Sequence, residues 1–268
     1  MNLKEILQAS ADVLMPRICP VCGKVLDANE RYICRQCLME LPRTCFETLP
    51  FNSMVQRFAG KVPVERATAY FFYERLSPYS QILQDIKYRN VPRMGRMLAK
   101  RYATLAMDSG MWEGIDYLIP VPLHIFKLAK RGYNQALHIA MGISDATQIP
   151  VYEAIQAVKG HATQTHKSAY ERMLNTQGLY QPIAEAATTL AHKHVMIVDD
   201  VITTGATLLS CAEGISHIPG IRISFFTLAA ARLTYPPPNS PTFLLSSSAF
   251  LGLTPGRWGL YIWGNFLI

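Results

Sequence analysis

VMIVDDVITTGAT, residues 195–207, is the stretch from which the fold can be read. Val195 to Val198 is a run of four apolar residues bounded by polar ones, the pattern of a strand covered on both faces. The run ends on two adjacent carboxylates, Asp199 and Asp200. Thr203, Thr204, Gly205, Ala206 and Thr207 follow, and the continuation ATLLSCAEGISH fits a helix. The thirteen residues therefore span a strand, a turn and a helix start. Small residues at a helix N-terminus let a phosphate approach backbone N–H groups and hydroxyls where the helix dipole favours an anion. Paired carboxylates repel phosphate, so they must face another part of the ligand. Sugar hydroxyls suit them, because a carboxylate accepts hydrogen bonds from a vicinal diol. The chemistry asks for a ribose 5-phosphate, its phosphate in the turn and its 2- and 3-hydroxyls at the acids.

Upstream, Asp116 to Ile119 reads as a short buried strand, and Pro120-Val121-Pro122-Leu123-His124 as a stiff loop at its carboxyl end. A basic, glycine-containing stretch with Arg131 and a helix from about Tyr133 come next. Ligands of an open parallel sheet bind outside the carboxyl ends of its strands, so this loop and Arg131 share a layer with the acids if both strands belong to one sheet. ERATAYFFY has the content of another strand. QILQDIKYRNVPRMGRMLAKRYATLAM reads as two helical pieces broken at Asn90-Val91-Pro92, with Pro92 in the first turn of the second. Arg93, Arg96 and Lys100 share one face of that helix and are expected to be solvated. Lys87, at the break beside Tyr88, is the better candidate for reaching a phosphate. His124 is expected to be an ordinary loop histidine, and Cys211 a small core residue. Residues 159–180 are polar and start without a clean period, which fits a lid or binding loop as well as a surface excursion.

Near the N-terminus, Cys19-Pro-Val-Cys22-Gly and Cys34-Arg-Gln-Cys37 are two CxxC knuckles separated by eleven residues. Zinc takes four soft ligands at tetrahedral corners, and each knuckle presents two thiolates to one ion. A structural Zn2+ held by Cys19, Cys22, Cys34 and Cys37 is expected, contributing folding energy to a segment too short to build its own core. Gly23 sits where the first knuckle's turn needs a permissive backbone. Cys45 is a spare ligand or has no metal role.

The formal charge of +7 is unevenly spread. Residues 61–110 carry nine basic and four acidic residues, a local +5, whereas residues 181–232 carry three and four, a local −1. An anionic partner near the middle of the chain is one explanation, and a solvated basic face the other. The opening MNLKEILQASADVLMPR places Lys4 and Glu5 where a signal peptide has its apolar region. No apolar run approaches the ~18 residues of a spanning helix. A cytoplasmic location without a transmembrane segment is expected, and the cysteines then favour metal over disulfides.

VMIVDDVITTGAT resembles the PRPP-binding motif of type I phosphoribosyltransferases: apolar residues, two acids, apolar residues, then TTG and small residues. The knuckles, PVPLHIFKLAKRGYNQA, TQTHKSAYERMLN and FTLAAAR, in that order, together resemble the ComF family of competence-associated, amidophosphoribosyltransferase-like proteins. The similarity covers about residues 14–232. It implies an α/β fold, a mostly parallel twisted sheet flanked by helices, preceded by a small zinc ribbon. Three segments are expected: a zinc ribbon with a leading helix over 1–50, a phosphoribosyltransferase-like domain over 51–232, and an atypical tail over 233–268.

The same resemblance implies roles. Asp199 and Asp200 would hold the ribose hydroxyls and stabilise the transition state, and Thr203 through Thr207 the 5-phosphate. Lys87, Val121, Pro122, Leu123 and Arg131 would hold pyrophosphate. Gln164, Glu171 and Arg172 would form a hood. Such enzymes displace pyrophosphate from PRPP, usually with Mg2+. This chain has His161-Ala162-Thr163-Gln164 where the family often carries an arginine near the TQ pair. The implied activity is transfer to an unnamed nitrogenous acceptor. The alternative is a non-catalytic PRPP- or nucleotide-binding accessory of DNA uptake, with single-stranded DNA or DNA-uptake proteins as partners. Residues 233–268, with one charge, five prolines and two tryptophans, are expected to be disordered or non-native rather than a membrane tether.

Overall fold

A computed structural model describes residues 16–158 and 179–232. The expected leading helix, the hood residues Gln164, Glu171 and Arg172, and the tail lie outside them. Four parallel strands form the central sheet in the order β1 (Ala67–Tyr73), β6 (Arg222–Ala231), β5 (His194–Ile202) and β2 (Tyr117–Pro120). A small antiparallel pair, β3 (Ile155–Ala157) and β4 (Tyr180–Pro182), stands apart from it.

The apolar run in β5 is buried on both faces, as a parallel strand requires. Met196 and Val198 belong to one core, Val195 and Ile197 to the other. The first core contains residues of α3 (Ser80–Tyr88), α4 (Pro92–Leu105) and α6 (Gln135–Thr147). The second contains Met54 of α2 (Ser53–Gln56) and residues of α8 (Ala206–Ile215). α7 (Ala186–Thr189) adds Ala186 to it. Pro92 opens α4 after Asn90 turns the chain at φ 58°. Gly142 of α6 lies so near α4 that a Cβ there would sit 2.2 Å from the Arg96 carbonyl oxygen. The two helices also share an ion pair, Arg96 Nε to Asp145 Oδ2 at 2.7 Å, with Arg96 Nη2 on Oδ1 at 2.7 Å. Arg96 thus keeps much of its side chain in solvent, as expected, and is also a bridge between helices, because α6 brings a carboxylate to that face of α4.

The basic stretch after Leu123 is itself a short helix, α5 (Ile125–Arg131), ended by Gly132 at φ 82°. Segment 42–44 pairs antiparallel with β1, through Phe72 N–H to Pro42 O (2.8 Å) and Thr44 N–H to Tyr70 O (3.1 Å). The knuckle residues Cys19, Cys34 and Cys37 share a core with Ile82 and Leu98. Among the described residues no helix is long and apolar enough to cross a membrane.

Candidate functional site

Sheet register assembles the site. β2 stops at Pro120, opposite Val198, and the Val121 N–H makes a last bond to the Val198 carbonyl at 2.9 Å. From Asp199 onward β5 keeps β6 as its neighbour: Asp199 lies opposite Thr227, and Ile202 opposite Ala230. The strand therefore runs on through the two acids to Ile202. Loop 121–124 and the acids share one edge of the sheet, the juxtaposition that a common sheet was expected to produce.

Both acids are buried, Asp199 at 8% exposure and Asp200 at 3%. Asp199 Oδ1 accepts the Asp200 N–H at 2.8 Å. Burial, and then the charge of Asp200, push the Asp199 carboxyl up to about 7, with Lys87 and Arg131 opposing. Asp200 Oδ1 meets Lys87 Nζ at 3.0 Å. Its Oδ2 is buried without a hydrogen-bond partner among the described residues. An orphaned carboxylate oxygen is costly in a closed interior, and a ligand hydroxyl would satisfy it.

Gly205 takes φ 85°, a left-handed conformation that turns strand into helix without a Cβ penalty. A Cβ there would also press on Phe58, whose ring carbons lie 3.2 Å away. Thr203 and Thr204 are exposed, and Thr204 Oγ1 accepts the Ala206 N–H at 3.4 Å. Ala206 and Thr207 form the first turn of α8.

Lys87 lies in the last turn of α3, beside the acids. Arg131 ends α5, stacks over the Tyr88 ring at 5.4 Å and donates to Gln135 Oε1. Tyr133 Oη donates to the Ile86 carbonyl at 2.6 Å, tying α3 to the turn before α6. Val121 is buried, Pro122 and Leu123 half-buried. His124 caps α5 by accepting the Phe126 N–H at Nδ1 (3.4 Å), a loop role as expected. Cys211 is fully buried in the core.

Sequence reasoning missed several residues that hold this edge. Asn134 caps α6 through the Ala136 N–H (3.0 Å) and donates from Nδ2 to the Val121 carbonyl at 3.0 Å. Its place just before an apolar helix was a readable cap signal. Arg57 donates to the Thr203 and Ala231 carbonyls from 146 and 174 residues away. Nothing local to Arg57 announces that.

The second centre is cysteine. Sγ atoms of Cys19, Cys22, Cys34 and Cys37 all lie within 4.8 Å of one another, with Cys22 and Cys34 at 3.7 Å. Tetrahedral zinc with ~2.3 Å bonds needs sulfurs about 3.8 Å apart, so these four could hold a zinc ion. The first knuckle is a strand turn: Cys19 N–H donates to Lys24 O at 2.8 Å, and Gly23 N–H to Cys19 O at 2.9 Å. The second opens α1 (Arg35–Met39), where Cys34 is the N-cap. Cys45 is exposed and outside the cluster.

No family model matches the sequence. The chain is 30% identical over 160 residues to competence protein F of Haemophilus influenzae, covering 58% of this chain and 69% of that protein. It is 26% identical over 200 residues to DNA utilization protein YhgH of Shigella flexneri, covering 73% and 82%, and 25% identical to YhgH of Escherichia coli K12 over the same shares. A solved structure described as the allosteric regulatory enzyme of purine biosynthesis aligns at 16% identity with a TM-score of 0.34, over 53% of this chain and 29% of that one.

Proposed function

This chain belongs to the competence protein F family, and from that premise we propose that it binds PRPP, as its magnesium complex, at the carboxyl edge of β5. The observation that carries the reading is Asp200: a buried carboxylate with one oxygen on Lys87 and the other without a partner among the described residues, five residues before a left-handed glycine opens a helix. The ribose 2- and 3-hydroxyls donate to Asp199 and Asp200. The 5-phosphate sits against Thr203, Thr204, Gly205, Ala206 and Thr207 at the start of α8, where the dipole favours it. Lys87, Arg131 and the loop Val121-Pro122-Leu123 take the pyrophosphate. The hood role that the resemblance implies for Gln164, Glu171 and Arg172 falls outside the described residues.

The reaction is amidophosphoribosyltransferase-like transfer to a nitrogenous acceptor. The bond from C1 to the pyrophosphate oxygen breaks, and its electron pair leaves with pyrophosphate. A nitrogen lone pair then forms the new C1–N bond, and the acceptor sheds its proton to solvent or a base. Positive charge on the ring is stabilised by the two carboxylates, while Lys87, Arg131 and the substrate's magnesium neutralise the leaving group. Position and electrostatics are the protein's main contributions.

A second reading rests on the relatives' names: a non-catalytic PRPP-binding accessory of DNA uptake, acting with single-stranded DNA or uptake proteins in the cytoplasm. Turnover separates the two. Pyrophosphate release from PRPP with ammonia or an amine, abolished in Asp200→Asn, supports the enzyme. PRPP binding without release, together with steeply salt-dependent DNA binding, supports the accessory. In both readings the four cysteines hold structural zinc, so one zinc per chain is expected by elemental analysis, and Cys34→Ser should lose it.

A further inference from the structure

The phosphate turn is not held by its own neighbours in sequence. Arg57 lies at the end of α2, in the segment between the cysteine knuckles and β1. Its Nη1 donates to the Thr203 carbonyl and its Nη2 to the Ala231 carbonyl at the end of β6. One planar guanidinium thus joins the turn to the neighbouring strand, an arrangement for which its fixed fork suits it better than an ammonium. Phe58, the next residue, packs on Gly205 and on Phe225, whose ring centroid is 4.4 Å away. Asn52 fixes this segment in turn: it caps α2 through the Met54 N–H at 2.9 Å and donates to the Ala67 carbonyl at 2.8 Å.

We infer that Arg57 is a positioning residue for the 5-phosphate, setting the orientation of the Thr203–Thr204 peptide. A trans peptide is planar, so its carbonyl and N–H point in opposite directions. Drawing the Thr203 oxygen onto Arg57 turns the Thr204 N–H the other way, toward the exposed side of the turn. Phe58 fills the space beneath Gly205 and keeps the left-handed residue from relaxing. Segment 52–58 is accordingly part of the binding site, although it precedes every strand of the sheet.

This rests on the proposed PRPP reading, and the two can fail separately. Titration calorimetry on the full chain would use magnesium-PRPP, ribose 5-phosphate and magnesium pyrophosphate as three probes. Arg57→Met should weaken PRPP and ribose 5-phosphate by ~10-fold or more, the scale of losing a charged hydrogen bond, and leave pyrophosphate within about 2-fold. Arg57→Lys, which keeps the charge and one bond, should recover part of the loss. Wild-type affinity for ribose 5-phosphate in Arg57→Met overturns the inference, as does an equal loss for all three probes, which marks a structural role. If Arg57→Met does not fold, Arg57→Lys decides: a selective loss of ~3-fold for ribose 5-phosphate supports it, and none overturns it. A wild-type chain that binds neither PRPP nor ribose 5-phosphate removes the underlying reading instead.

Discussion

The two ends of β5 handle carboxylate charge in opposite ways: Asp116 at its start is part-exposed, whereas Asp199 and Asp200 at its finish are buried. At its start, Asp116 accepts the His194 N–H at 2.8 Å and meets Lys193 Nζ at 3.1 Å, and His194 Nε2 lies 2.9 Å from Ser224 Oγ. Against the pull of its partial burial, these bonds hold Asp116 below the usual carboxylate range. At its finish, Asp199 is raised and Asp200 keeps an oxygen with no partner among the described residues. One strand therefore has an end whose carboxylate is satisfied from within and an end where one carboxylate oxygen, Asp200 Oδ2, has no partner among the described residues. Stability alone explains the first, and the second is the pattern of a site that a ligand completes.

The largest effect that would break this contrast is expected at Asp200. Asp200→Asn should lower PRPP affinity by about 30-fold or more, because it removes the charged acceptor of a ribose hydroxyl, a loss of roughly 2–3 kcal/mol. Calorimetry measures it, and a loss below about 3-fold would mean that the acids do not hold the sugar. Lys87→Met comes next, with a loss of ~10-fold for PRPP and for pyrophosphate alike. At the other end, His194→Gln should leave PRPP binding unchanged and alter only acid stability. Burial, helped by Arg222 and Arg66, pushes His194 down to about 4. As pH falls from about 6.5 toward 4 the unfolded chain takes up a proton that the folded chain refuses, so stability declines across that window. Chemical denaturation at pH 7 and pH 4.5 should show a smaller loss in the variant; an unchanged loss would remove His194 as a cause.

The smallest and sharpest test is Asp199→Asn. A carboxyl raised to about 7 keeps its proton in the fold while the unfolded chain ionises from about 4 upward. Its contribution therefore falls as pH rises through that window and stays unfavourable above it. The amide should raise Tm at pH 8, by about 2–4 °C for each kcal/mol relieved, and have little effect near pH 4, while weakening PRPP binding. A stabilised protein that binds worse is expected of a residue retained for its ligand.

Much of this molecule was legible in its sequence where a feature depends on local spacing. VMIVDDVITTGAT gave strand, turn and helix because burial on both faces and a left-handed glycine each leave a local mark. The cysteine knuckles were legible because thiolates at fixed spacing converge on one point. What was not legible depends on tertiary approach. The ion pair of the half-exposed Arg96 depends on α6 bringing Asp145 to it, and Arg57 reaches its carbonyls across more than half the chain. The continuation of β5 past its acids was hidden too, since β6 rather than β5's own residues keeps that end paired.

Calorimetric titration of the full chain with magnesium-PRPP, beside Asp200→Asn, tests the central claim most directly. One PRPP per chain bound by the wild type, with at least ~30-fold weaker binding in the variant, is the expected result. No binding heat from a folded wild-type chain, or equal affinity in the two, would contradict it.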